Sequence, residues 1–173
     1  MGARCWSIPE KTRALLLLCA CLCVETGNAN SKKGHELSNG KKILIIDDED
    51  GLRDVISRML DDAGYETAGA ADGPSGLAAA KADSFDLIIL DMSLPKMNGL
   101  QVLSGIKECR PETPVIMITA YGSTETAVEA LRFGAYDYIT KPFDLDELQM
   151  TAERALKQQQ IIDENKFLRS ELR

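Results

Sequence analysis

Beyond residue 40 the chain has a single cysteine, Cys109, and the other four (Cys5, Cys19, Cys21 and Cys23) lie within the first 23 residues. The body therefore carries no disulfide framework and reads as a protein of a reducing compartment. The CACLC run at 19–23 has no histidine nearby and no second cysteine pair, which argues against a metal site there. There is no GxxxxGKS/T phosphate loop, so P-loop nucleotide chemistry is excluded for this stretch of chain. Cations are also short. Lys and Arg number 20 against 27 Asp and Glu, a formal charge of -7, and residues 1–40 hold five cations against three Glu, so the remainder carries -9. A body that acidic lacks the cations that neutralise phosphates and is not a nucleic-acid binder by itself.

The 173 residues allow one domain of ordinary size plus extensions. Residues 1–40 stand apart from the rest. Arg4, Lys11 and Arg13 precede the apolar run ALLLLCACLCV (14–24), and Gly27-Asn28-Ala29 is a small-residue cleavage pattern, the three parts of a secretory signal. The run is too short to span a bilayer comfortably. The competing reading is a non-native extension, with translation starting nearer Val24 or Leu37. Under either, NANSKKGHELSNGKK is a polar linker, and 1–40 is expected to lie outside the folded domain.

From residue 41, apolar β-branched runs recur as KILIID (42–47), DLIILD (86–91) and PVIMIT (114–119), with weaker candidates YETAGA (65–70) and YDYIT (136–140). Strands apolar throughout are buried on both faces, as in a parallel sheet. Between them Leu52, Val55, Ile56, Met59, Leu60 and Ala63 recur at helical spacing, with Gly64 as a stop. Further helices are predicted from about Pro74 to Ala82, Asn98 to Cys109 and Ser123 to Phe133, and a last one from near Asp144 onward. Five such units make a doubly wound α/β sandwich, whose ligands bind beyond the carboxyl ends of the strands.

That rim is where the chemistry concentrates. Asp47 and Asp48 close the first strand, Asp91 the third and Thr119 the fourth, and Lys141 follows the fifth. Singly, each has an ordinary explanation: an Asp before a helix is often an N-cap, a Thr a strand residue, a Lys a solvated surface group. Their equivalent positions at strand ends are what make the set informative. The run Asp47-Asp48-Glu49-Asp50 piles up like charge beside a buried strand and calls for a counter-charge. Three carboxylates with open positions suit a hard divalent cation such as Mg2+.

The motifs IIDDED, LDMSLPKMNG around Asp91, MITAYG and YITKPF closely resemble those of the response-regulator receiver domain of two-component signalling, over about residues 40–160. The resemblance implies a flavodoxin-like sheet of strand order 2-1-3-4-5 with five helices. It implies that Asp91 accepts a phosphoryl group from a sensor histidine kinase, with Mg2+ held by Asp47, Asp48, Asp91 and the backbone carbonyl of Ser93. It further implies Lys141 and Thr119 as phosphoryl-binding groups, Tyr138 as the aromatic of the switch, a cis peptide at Lys141-Pro142, and an output face on the fourth helix, fifth strand and fifth helix. Ser93 and Tyr121 flank the site and are expected to modulate phosphoryl lifetime. Such a chain is a phosphoacceptor rather than an enzyme, works in the cytoplasm where kinases use ATP, and has no membrane partner.

The nearest enzyme rival is an aspartyl-phosphate phosphatase, but the acid/base Asp that such enzymes carry two residues after the nucleophile is here Ser93. A flavin or nucleotide module would want a Gly-rich or Ser/Thr-rich loop after the first strand, where this chain has DEDG. The tail QQQIIDENKFLRSELR has no Pro or Gly, and Ile161, Asn165, Leu168 and Leu172 recur at 4-3-4 spacing, a short coiled-coil seam with Asn at one core position. The expected division is thus extension (1–40), receiver (41–158) and helical linker (159–173), with a phosphorylation-dependent homodimer as the expected assembly. The stretch AYGSTETAVEALRFGAYDYITKPFDLDEL and the ENKFLRSEL end resemble receivers of enhancer-binding AAA+ transcriptional activators. The output is therefore transcription in a longer regulator, or protein contact or phosphorelay in a single-domain receiver.

Overall fold

Each apolar strand alternates its side chains between two hydrophobic layers, which is why the runs read as continuous rather than alternating. The computed structural model describes residues 40–120 and 124–171, with backbone alone for 124–126. Strands and helices alternate strictly: β1 (Lys42–Ile46), α1 (Asp50–Asp62), β2 (Glu66–Ala70), α2 (Gly73–Ala82), β3 (Leu87–Asp91), α3 (Gly99–Cys109), β4 (Val115–Thr119), α4 (Thr124–Arg132), β5 (Asp137–Thr140) and α5 (Leu145–Glu171). All strand pairs are parallel and the order is β2-β1-β3-β4-β5, the doubly wound sheet expected from the sequence.

Ile43, Ile45, Leu87, Ile89, Ile116 and Ile118 pack against Ile56 and Leu60 of α1 and Leu148, Ala152 and Leu156 of α5. Their neighbours Leu44, Ile46, Ile88, Leu90, Val115 and Met117 face Ala80 of α2, Val102, Leu103 and Ile106 of α3, and Ala130 of α4. Burial of each large side chain stabilises the fold by about 1.5–3 kcal/mol. A slip of one residue in any strand would exchange its two layers, so the two cores fix the register that brings the strand ends level.

The helix ends follow local chemistry. α1 stops at Gly64, whose φ of 89° lets its N–H reach back to the Asp61 carbonyl at 2.9 Å, while the Tyr65 N–H reaches Leu60. α2 opens on a capping box of Asp72 and Ser75, and α3 on one of Asn98 and Gln101, so Asn98 caps the helix as its position suggested. One expectation fails: Val55, placed on the buried stripe of α1, is 44% exposed. The stripe narrows to Ile56 and Leu60, with Leu52, Met59 and Ala63 partly covered at its edges. α5 is buried as far as Leu156, and Ile161, Ile162, Phe167 and Leu168 beyond it face solvent. The predicted start of α4 at Ser123, the seam position Leu172, and the whole of 1–39 lie outside the described residues. No helix among the described residues is long and apolar enough to cross a membrane.

Candidate functional site

The site grows from the points where buried strands run out. β1 hands its ladder to Asp47, whose N–H donates to Ala70 of β2 at 3.2 Å, and β3 ends on Asp91 itself. Both carboxylates sit inside the protein, Asp47 1% and Asp91 4% exposed. Neither is a helix cap: α1 takes Glu49 as its N-cap without a side-chain bond, and α3 takes Asn98. Each is oriented by the backbone two residues on, Glu49 N–H donating to Asp47 Oδ1 at 2.8 Å and Ser93 N–H to Asp91 Oδ1 at 3.0 Å.

Their other oxygens converge on one ammonium. Lys141 Nζ donates to Asp47 Oδ2 at 3.0 Å and to Asp91 Oδ2 at 2.6 Å. Burial pulls the Lys141 pKa down, yet hydrogen bonds and charge from Asp91 and then Asp47 outweigh it and hold the ammonium above its ordinary value. For Asp47, burial prevails over the Glu49 N–H and over Lys141, and its carboxyl is raised. Asp48 is exposed beside them. One carboxylate oxygen from each of Asp47, Asp48 and Asp91 lies within 4.8 Å of the others. Such a set fits a hard cation that takes oxygen ligands and keeps several waters.

Around this centre, Thr119 closes β4 opposite Thr140, is 3% exposed, and accepts the Lys141 N–H on its carbonyl at 2.7 Å. That bond registers the lysine against the fourth strand. The Lys141–Pro142 peptide is cis. Tyr138 pairs with Met117 two positions up β5 and is 37% exposed, at the surface rather than turned into the protein. Tyr121 lies outside the described residues. The exit from β3 is built by close approach. A Cβ on Gly99 would stand 2.6 Å from the Asp91 carbonyl oxygen and 2.7 Å from Met92 Cα, so only glycine lets α3 begin against the loop that follows Asp91.

Two features were not singled out from sequence. Arg53, in the first turn of α1, donates to the Asp47 carbonyl oxygen at 2.7 Å and pairs with Asp50. Lys96, in the left-handed region at φ 69°, pairs with Asp72 and ties the β3–α3 loop to the start of α2. The acidic run thus has two resident cations, Lys141 within and Arg53 beneath. The i, i+3 spacing of Asp50 and Arg53 was a readable signal for the second.

A doubly wound sheet with three converging carboxylates, a buried-face lysine and a hydroxyl at one rim defines a class of protein suited to a divalent cation and an anionic group. Residues 43–153 match the family model described as the response regulator receiver domain, and the chain belongs to that family. It is 42% identical over 131 residues to the regulatory protein AtoC of Escherichia coli (strain K12), covering 76% of this chain and 28% of that protein. It is 44% identical over 117 residues to the nitrogen assimilation regulatory protein NtrX of Azorhizobium caulinodans, covering 66% and 26%. It thus spans about a quarter of the length of these relatives. Among solved structures, NtrX of Brucella abortus superposes with a TM-score of 0.71 at 44% identity, over 75% of this chain and 29% of that one. A CheY-like receiver domain protein of Methanospirillum hungatei JF-1 superposes with a TM-score of 0.68 at 36% identity, over 70% and 97%.

Proposed function

We propose that this chain accepts a phosphoryl group from a sensor histidine kinase on Asp91 and relays its arrival to an output face formed by α4, β5 and α5. The observation that carries the reading is the convergence of Asp47, Asp48 and Asp91 within 4.8 Å of one another, with the Lys141 ammonium already hydrogen-bonded to Asp91. An Asp91 oxygen attacks phosphorus in line; its P–O bond forms as the P–N bond to the donor imidazole breaks, and the imidazole leaves with that electron pair and is protonated. Asp47, Asp48, Asp91 and the Ser93 carbonyl would hold Mg2+, which would supply the charge neutralisation two anions need in order to meet.

The chain's own groups do the remaining work. The Ser93 N–H holds Asp91 in its rotamer, and Lys141 is positioned to pass from the carboxylate to a phosphoryl oxygen. The Thr119 hydroxyl donates to another oxygen once the group is attached, and Tyr138, exposed before that event, follows it inward. Ser93 flanks the group and modulates water access, a role assigned also to Tyr121, which lies outside the described residues. The chain is a phosphoacceptor that turns over slowly at most, rather than an enzyme. Its receiver spans 41–158 and a linker follows at 159–173, helical as far as Glu171 among the described residues. The relatives' names as regulatory proteins, transcriptional in several, favour transcription as the output; the proposal places the chain in the cytoplasm, acting through protein contacts and a phosphorylation-dependent homodimer, without direct nucleic-acid or membrane binding by these residues. The second reading is a single-domain receiver acting by protein-protein contact or phosphorelay.

Acetyl phosphate with Mg2+ tests the assignment. One hydroxylamine-sensitive phosphoryl group per chain is expected by intact mass, and none on Asp91→Asn; full labelling of that variant sinks it.

A further inference from the structure

The geometry points to Arg53 as a positioning residue for the cation site: its guanidinium anchors the Asp47 backbone carbonyl and so fixes the turn that aims Asp47 and Asp48 at the metal position, with Gly69 of β2 providing the groove in which it lies. This inference rests on the receiver reading and assigns a role to two residues outside the metal and phosphoryl set.

Asp47 and Asp48 leave a strand and enter a helix within three residues, and the chain between them has little to hold it. The Asp47 N–H is tied to β2, and the Glu49 N–H is spent on the Asp47 side chain. α1 has no side-chain cap at Glu49. The Asp47 carbonyl accepts from Arg53 Nη1, at 2.7 Å. Arg53 is anchored in turn: its second Nη pairs with Asp50, its N–H donates to the Glu49 carbonyl at 3.0 Å, and its side chain is 18% exposed. One residue thus closes a ring through the carbonyl at the strand end and the carboxylate at the helix start, with Asp48 between them.

The floor of that ring is Gly69. In β1–β2 pairing Gly69 lies opposite Ile45, and a Cβ there would stand 3.1 Å from Arg53 Cδ and 3.2 Å from Nε. Glycine within a strand weakens it unless another group must come close. Here the group is the arginine stem, lying across the edge strand so that its head reaches the loop.

The charge on Arg53 makes the sign of the effect diagnostic. A cation placed near a Mg2+ site repels the metal, so if charge were its whole effect, Arg53→Ala would tighten Mg2+ binding. A group that orients metal ligands from behind has the opposite effect, and its loss typically weakens metal affinity by about tenfold or more. Gly69→Val keeps the charge and suits a strand, but its side chain displaces the stem.

Calorimetric titration of Mg2+ into the purified chain, with melting curves recorded without metal, distinguishes these. Expected are about tenfold weaker binding in Arg53→Ala, a smaller loss in Arg53→Lys, and a loss in Gly69→Val that disappears when it is combined with Arg53→Ala. Unchanged or tighter Mg2+ binding in Arg53→Ala overturns the inference, as does an equal further loss when the two changes are combined. Should Arg53→Ala fail to fold, Gly69→Val alone decides by the same criterion. Failure of the receiver reading is seen separately: the parent then neither binds Mg2+ nor takes a phosphoryl group, and the role of Arg53 falls with it.

Discussion

Lys141 Nζ stands 2.6 Å from Asp91 Oδ2 and 3.0 Å from Asp47 Oδ2, so residues 50 and 94 positions apart share one ammonium before any ligand arrives. The lysine thus partners both buried carboxylates, and an anion brought to Asp91 under the proposed function would meet a cation already held in place there.

Removing that ammonium should cost stability in the metal-free protein. Two buried carboxylates would lose their shared partner, and breaking a buried pair costs about 3–5 kcal/mol. With Lys141 partly open to solvent, roughly 2 kcal/mol is expected for Lys141→Met. Because the folded Lys141 pKa is raised, its contribution is complete below the unfolded value of about 10.4 and is lost as pH rises through the folded value. Urea unfolding of parent and variant should therefore differ by a constant amount well below the unfolded lysine value and converge only as pH rises through the raised folded value. Mg2+ should restore part of the loss; a gap that widens with rising pH contradicts the pairing.

Asp48 should behave in the opposite way. It is exposed, no hydrogen bond is described for it, and its charge lies close to Asp47 and Asp91. Neutralising it as Asp48→Asn relieves repulsion of about 1 kcal/mol, a rise of roughly 3 °C in the metal-free melting temperature. The same change should abolish the rise that Mg2+ gives the parent by mass action. Stabilisation by Mg2+ equal to the parent's would move the site elsewhere.

Two glycines should answer alanine substitution with opposite signs. At Gly99 the added Cβ meets backbone of Asp91 and Met92 that cannot move aside, and a loss of about 3 kcal/mol is expected. At Gly51, within α1, nothing lies within 4 Å, and alanine should stabilise by about 0.5 kcal/mol. Denaturant midpoints at unchanged m-value check both.

The strands and the rim were legible because each obeys a local rule: Ile43 to Ile46 read as buried on both faces, and Asp47, Asp91 and Thr119 sit at strand ends by count alone. Val55 misled because a helix stripe has an edge, and sequence spacing does not tell edge from centre. Arg53 went unread as part of the site because its chief contact is a backbone carbonyl, which any residue type supplies and no pattern marks. Gly69 and Gly99 carry no side-chain pattern that would mark them. What each makes room for, an arginine stem and a strand-end carbonyl, exists only once distant segments are packed together. Tyr121, expected to flank the phosphoryl group, lies outside the described residues.

The last prediction concerns the tail. α5 loses its last buried contact at Leu156, yet the helix continues to Glu171 with Ile161, Ile162, Phe167 and Leu168 facing solvent. A lone helical segment of this length is marginal in water, so its apolar positions favour a partner, and the seam of Ile161, Asn165 and Leu168 fits a second copy. Asn165 now donates to its own helix at the Ile161 carbonyl, 2.8 Å away, a bond available when no partner Asn faces it. A core Asn specifies register at a cost in affinity, so Asn165→Leu should tighten self-association by about tenfold, equivalent to ~1.4 kcal/mol. A chain ending at Gln158 should remain monomeric while binding Mg2+ like the parent, since every buried residue of α5 is retained. Beryllofluoride, a phosphoryl mimic, should shift the parent's sedimentation toward dimer and shift Tyr138→Ala less, because Tyr138 lies on the strand between the site and the face that bears the helix. An unchanged mass in the parent across a wide concentration range, with the site shown to be occupied, would make the tail a solvated helix and the output a contact with another protein.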